Sequence, residues 1–294
     1  MILEMNDFMN AYYASLFCES ADWNTLVSEA QINFGGKAYP KFGQVIIVSG
    51  GSGSGKGFVI DNLFGIEGKR FDVDYLKTQV AKNAQLRHEL SIKFDVPETV
   101  FDLKTSEDVS IVHEIMKKSG LKQKYENNIF MMAKNADEDK KPNLIFDKTC
   151  KTFDDFYYVI KTVKEHGYKP ENIHFVWVLS DFKTAIEQNN SRERKVDEHL
   201  LKSIHMSVAN TMKYIFNMSD QIANYLNGDM WIVFNKKGVD SDVQKLKKGK
   251  YSDNPNFYVK SANYIKLKDA GKSSINMNAS TEQKIKEYVP AGTW

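Results

Sequence analysis

Seven residues, Gly50-Gly51-Ser52-Gly53-Ser54-Gly55-Lys56, fit the pattern G-x-x-x-x-G-K. Glycines let successive backbone N–H groups turn inward and cradle phosphate oxygens. A lysine closing the loop neutralises the β- and γ-phosphates of a nucleotide, ATP or GTP. By composition alone the pattern arises about 0.1 times in a chain of this size, so its context decides. An apolar run, "QVIIVSG" (44–50), leads in, and a helical pattern, "FVIDNLFG" (58–65), leads out. A helix there directs its N-terminus at the same anion. The residue after the lysine is Gly57, where such loops usually carry Ser or Thr. That hydroxyl normally binds Mg²⁺. Without it, Mg²⁺ can still be held through phosphates, water and carboxylates elsewhere. The other reading is a weak or inactive enzyme.

Acids and arginines complete the set. Asp72 and Asp74 stand two apart after the short run "KRF". Residues i and i+2 of a strand share a face, and the carboxyl ends of strands form the ligand crevice of open α/β sheets. Asp74 is the expected general base, taking the proton of a hydroxyl as it attacks the γ-phosphate. Asp72 is a second oxygen ligand for the metal, and one of the two acids caps the following helix. Asp147 ends the apolar run "NLIF" and fits a metal-holding acid, with Lys148, Thr149 and Lys151 close behind. Cys150 reads as a small packed residue, because nothing nearby marks a base for it. Arg192 and Arg194 lie in "NNSRERKVDEH", whose asparagines and serine suggest a loop. Arginines on a mobile lid can stabilise the charge of phosphoryl transfer. His199 and His205 read as structural, with no third metal ligand in sight.

The elements that position these groups follow from hydrophobic patterning. Continuous apolar runs at 44–50, 142–149, 172–181 and 230–238 suit strands buried on both faces of a parallel sheet. A second short strand falls at 69–79, ahead of a helix. "FDDFYYVIKTVKEHGY" is an amphipathic helix closed at Gly167, and 182–219 is long, charged and helical. Residues 5–30 read as helical, and 80–138 as mostly polar and helical. The alternation of strands and helices predicts an α/β fold with a mainly parallel sheet. Three parts are expected: an N-terminal helical extension (1–40), a kinase-like domain (41–238) with a helical insertion near 84–140, and a basic C-terminal appendage (239–294). The appendage includes a strand candidate, "NFYVKSANYIKL".

The chain has 294 residues, 42% apolar content and a formal net charge of +2. That balance neither demands nor excludes an anionic partner. Two cysteines, Cys18 and Cys150, without a CxxC spacing, suit a reduced intracellular protein. The opening "MILEMNDFMN" is a poor signal peptide. No run of about 18 apolar residues predicts a membrane span, so the cytoplasm is the expected location.

The order strand–GxxxxGK–helix, "FDVDYLK", "NLIFDKTCKTFDDFYYVIKTVKEHGY" and "NNSRERKVDEHLLKSIH" resembles the zeta-toxin-like P-loop kinases over roughly residues 40–240. The resemblance implies a nucleotide-kinase-like three-layer α/β sandwich. It also implies ATP-dependent phosphorylation of a hydroxyl, that of a UDP-amino-sugar in the best-known members. Lys56 then matches the phosphate-binding lysine, Asp74 the general base, Asp147 the acid of the third strand, and Arg192 and Arg194 the lid arginines. Gly57 departs from the family's hydroxyl, Lys151 stands where an arginine is common, and 84–140 carries no recognisable acidic sugar-binding position. The Asn/Lys/Asp-rich composition looks like that of a bacteriophage protein. Two other functions stay open. The lysine-rich tail, interleaved with Tyr251, Phe257, Tyr258 and Tyr264, suits a polynucleotide or modified-base DNA kinase. Gly57 suits a nucleotide-binding interaction module without turnover. The acceptor and the oligomeric state are not encoded in any motif found.

Overall fold

The computed structural model describes residues 32–37, 40–191, 196–218, 221–236, 239–245 and 257–294. The helix expected over 5–30, and Cys18 within it, lie outside them. Val45–Ser49 forms β1, buried at every position. A strand with no polar face must be covered on both sides. Ile173–Ser180 forms β4, buried in the same way. β2 (Lys69–Phe71), β3 (Leu144–Asp147) and β5 (Met230–Asn235) join them in parallel. β7 (Phe257–Lys268) runs antiparallel to β5, and β6 (Ser241–Lys245) antiparallel to β7. The order across the sheet is β2-β3-β1-β4-β5-β7-β6.

The helices are α1 (Lys56–Asn62), α2 (Val73–Lys82), α3 (Ala84–Phe94), α4 (Ser106–Lys118), α5 (Leu121–Asn135), α6 (Phe153–Glu165), α7 (Phe182–Asn190), α8 (Glu198–Asn217), the short α9 (Ile222–Tyr225) and α10 (Ala279–Tyr288). Alternation along the strands divides the core. Val45, Ile47, Phe146, Phe175 and Trp177 face α5, α6, α8 and α10. Ile46, Val48, Ile145 and Val178 face α1 and the segment around Ile32 and Phe34. This is the expected class: a P-loop nucleotide-kinase-like α/β sandwich of three layers around a mainly parallel sheet. A third apolar cluster, with Leu90, Phe101 and Met116, lies among α2, α3 and α4. Tyr125 of α5 ties that region to the sheet by donating to the Arg70 carbonyl at 3.0 Å.

Two expectations need correction. The stretch 182–219 is not one helix: α7 ends at Asn190, and Asp197 caps a new helix by accepting from His199 N–H at 3.0 Å. The strand at 230–238 is also not the last. β7 follows as the tail's strand candidate suggested, and β6 was not foreseen. "SDVQK" has one apolar residue, and an edge strand paired on one side needs no apolar run.

The residues after 238 belong to the same sheet and core. Ile285, Tyr288 and Val289 pack with Met230 and Phe234. Lysines that look solvent-bound in the sequence turn inward. Lys268 Nζ donates to the Gly228 carbonyl at 2.8 Å, and Lys266 Nζ reaches Asp229 Oδ1 at 3.1 Å. Buried Asp229 also accepts from Gly35 N–H at 2.6 Å and Ala270 N–H at 2.9 Å. Its own N–H donates to His174 Nδ1 at 2.9 Å, while His174 Nε2–H donates to Gln44 Oε1 at 2.8 Å. The tail is thus clasped to the amino edge of the sheet. Because Ile285 is fully buried, Ile285→Ala is expected to destabilise the whole domain by about 2–4 kcal/mol. Urea denaturation followed by tryptophan fluorescence measures this; a loss under about 0.5 kcal/mol refutes integration of the tail.

Candidate active site

β1 stops at Ser49, and the chain turns through 50–55 into α1. Gly55 has φ +90°, a left-handed conformation, and a Cβ there would sit 2.4 Å from Asn235 Nδ2. A side chain is excluded on both counts. Lys56 folds back over its own loop, donating to the Gly50 carbonyl at 2.9 Å and the Gly51 carbonyl at 3.2 Å. Its Nζ also lies 3.8 Å from Asp147 Oδ1. A polyphosphate entering the loop can take over these contacts as charge-assisted bonds.

Groups from other elements hold the loop. His205 on α8 donates Nε2–H to the Ser52 carbonyl at 2.8 Å. Its ring packs so tightly on Gly51 that a Cβ there would come within 2.4 Å of Nε2. Asn235, closing β5, donates to the Ser54 carbonyl at 2.8 Å. Burial pushes the His205 pKa down; the Ser52 bond opposes this and the nearby Lys56 charge adds to it. The net direction is downward. Ser54 Oγ is buried with no hydrogen-bond partner among the described residues. A buried hydroxyl within a glycine loop fits a phosphate oxygen.

Asp147 ends β3, one strand over from β1, where Val48 pairs with it in register. Both carboxylate oxygens face cations: Oδ1 faces Lys56 Nζ, and Oδ2 faces Arg70 Nη2, each at 3.8 Å. Arg70, on β2, also donates Nη1 to Asp61 Oδ1 at 2.9 Å, and its Nε lies 3.9 Å from Asp72 Oδ2. Asp72 and Asp74 do not share a strand face as expected. β2 stops at Phe71, the Asp72 carbonyl accepts from Leu76 N–H at 3.1 Å, and Asp74 falls in the first turn of α2. The edge strand is too short to carry the pair, so Asp72 takes the cap position.

The protein's own groups do not fit a divalent cation in the customary place. Gly57 offers no hydroxyl, and a Cβ built on it points to Arg70 Nη2 at 3.7 Å. The guanidinium therefore lies between Gly57 and the Asp147 carboxylate. Among the described residues no group of three or more His, Cys, Asp or Glu could hold an ion.

Arg192 and Arg194 lie outside the described residues. The ends of their segment are fixed: Asn189 Nδ2 donates to the Val196 carbonyl at 2.8 Å, and Val196 N–H donates back to Asn189 Oδ1 at 2.9 Å. Cys150 is buried, and burial pushes its thiol up to about 12. It packs, as expected. Burial lowers the Lys148 pKa, and His199 is exposed. Arg70 and Asn235 were missed in the sequence, and His205 proves structural for the glycine loop itself. Asn235 carried the same signal as Asp147, a polar residue ending a buried strand.

Sheet order, loop and acid now stand together. The fold is an α/β sandwich whose sheet, parallel from β2 to β5, carries the glycine loop between β1 and α1 at its carboxyl edge. No protein-family model matches the sequence, and no curated protein matches it. Similar solved structures include the AvrRxo1-ORF1:AvrRxo1-ORF2 complex with sulphate ions, at 11% identity and a TM-score of 0.49 over 86% of this chain. The same complex with ATP gives 11% identity and 0.48 over 86%. The chain spans just under two thirds, 66%, of either matched chain. A structure from the PezAT chromosomal toxin-antitoxin system of Streptococcus pneumoniae gives 14% identity and 0.38, over 71% of this chain and 72% of that one. Among the described residues, no helix is long and apolar enough to cross a membrane.

The His205 environment sets a pH dependence. Its pKa in the fold lies below the ordinary 6.5. The unfolded chain therefore binds more protons as pH falls through about 6.5, and stability drops with it. His174, lowered by burial, adds to the same slope. Urea unfolding at pH 7.5 and pH 5 is expected to show a smaller acid loss for His205→Gln than for the wild type. Equal losses refute the assignment.

Proposed function

We propose that this chain is an ATP-dependent kinase that transfers the γ-phosphate to a hydroxyl of a small molecule, such as a nucleotide sugar. The observation that carries this reading is Lys56. It lies between the carbonyls of its own glycine loop and Asp147, at the carboxyl edge of a parallel sheet. Ligands of open α/β sheets bind at that edge. Lys56 binds the β- and γ-oxygens of ATP or GTP in place of the loop carbonyls. The acceptor oxygen attacks the γ-phosphorus, its proton passes to the Asp74 carboxylate, and the nucleoside diphosphate leaves. Arg192 and Arg194 are the arginines assigned to the charge that develops on the transferring group. Asp147 orients Lys56 across the loop.

No specific observation favours a polynucleotide acceptor. Lys266, Lys268 and Lys284 of the tail serve Asp229, Gly228 and Asp240. Tyr264 packs edge-on against Trp231 at 5.7 Å.

γ-Labelled ATP, incubated with purified protein and a metabolite extract, tests the reading. The wild type is expected to label a small product. Lys56→Ala is expected to weaken nucleotide binding by at least about tenfold. Asp74→Asn is expected to keep nucleotide affinity but lose about 10²–10⁴ in turnover. Full turnover in Asp74→Asn removes the base assignment. Binding without labelling of any acceptor favours the module without turnover.

A further inference from the structure

We propose that Arg70 is a phosphate-binding residue that replaces, beside Gly57, the customary hydroxyl and the metal charge it holds. The proposal rests on the nucleotide reading of the glycine loop. It starts from an anomaly of composition: the loop has its glycines and its lysine but no hydroxyl after the lysine. Steric exclusion does not explain this. A Cβ on Gly57 would rest 3.7 Å from Arg70 Nη2, an ordinary contact. A Cβ has room there, so backbone crowding does not dictate the glycine.

The chemistry is set by what fills the gap. Arg70 arrives from β2, and its guanidinium lies between Gly57 and Asp147. Three carboxylates aim it: Asp61 at 2.9 Å, Asp147 at 3.8 Å and Asp72 at 3.9 Å. Only the Asp61 contact is short enough for a hydrogen bond. Arg70 Nε is buried and has no hydrogen-bond partner among the described residues. A fixed cation with donors to spare, beside a phosphate cradle, matches phosphate oxygens in a fork geometry. It also repels a second cation from the same few ångströms. Lys56 and Arg70 thus flank Asp147 from both sides and supply two positive charges where other loops use a lysine and a metal. A hydroxyl at position 57 would have no metal to ligate. Any divalent ion that accompanies the nucleotide would be held by the phosphates and water.

Binding of a fluorescent ATP analogue, measured with EDTA and with Mg²⁺, tests this without turnover. The wild type is expected to bind with affinities within about threefold of each other in the two conditions, given that Arg70 supplies the local charge. Arg70→Ala is expected to weaken binding in EDTA by about tenfold or more, as for a lost charge-assisted bond. Mg²⁺ should recover part of that loss, and more of it in Gly57→Ser/Arg70→Ala. Arg70→Gln, which keeps the shape and removes the charge, should behave as Arg70→Ala; matching thermal unfolding of Gln variant and wild type confirms a folded chain. A wild type that requires Mg²⁺, with binding unchanged in Arg70→Gln, overturns the Arg70 assignment while leaving the loop reading intact. Absence of nucleotide binding in both conditions overturns the loop reading and Arg70 with it.

Discussion

The pairing of β1 with β3 is the constraint on which the site depends. Parallel register sets Val48 beside Asp147, and this single alignment brings the acid to the mouth of the glycine loop. Both strands are apolar and enclosed by helices, so a slip of one residue would turn their core side chains to the wrong layer. The register is therefore enforced by the whole core. Lys148 N–H donating to the Val48 carbonyl at 3.0 Å, and Ser49 Oγ donating to the Thr149 carbonyl at 3.0 Å, extend the alignment past the strand ends. Chemistry at the edge inherits its precision from packing in the middle.

Around that alignment, charge is matched locally. Asp147 stands between Lys56 and Arg70, and Arg70 between Asp147, Asp61 and Asp72. Charges this close and partly withdrawn from water need mutual compensation. The loop itself is braced by neutral groups, His205 and Asn235, which bind its carbonyls and so leave the positive field of Lys56 undiluted. Burial keeps His205 on the neutral side and suits it to this task.

The fold was legible because its strands are short apolar runs that only a covered sheet can bury, with glycines and acids at their ends. Glycine loop, Lys56 and Asp147 were legible for the same reason: their partners are near in sequence or marked by a strand end. Arg70 was not, since its meaning comes from Gly57 and Asp147, 13 and 77 residues away, and spacing says nothing of that meeting. The Asp72/Asp74 geometry was misjudged because strand length at a sheet edge is set by its one neighbour. β6 was hidden by a polar sequence on a one-sided edge. The inward turn of Lys266, Lys268 and Lys284 was not legible either, because a long cationic side chain can end inside the fold on a carbonyl or a carboxylate.

Helix α8 has 20 residues, a rod of about 30 Å. It starts just after the arginine segment, touches Ser52 through His205 near its middle, and carries Tyr214 near its far end, edge-on to Phe153 at 5.3 Å. One helix therefore both braces the cradle, through His205, and carries the aromatic contact of Tyr214 with Phe153. A substitution that changes how this rod packs at either contact bears on a single rigid element.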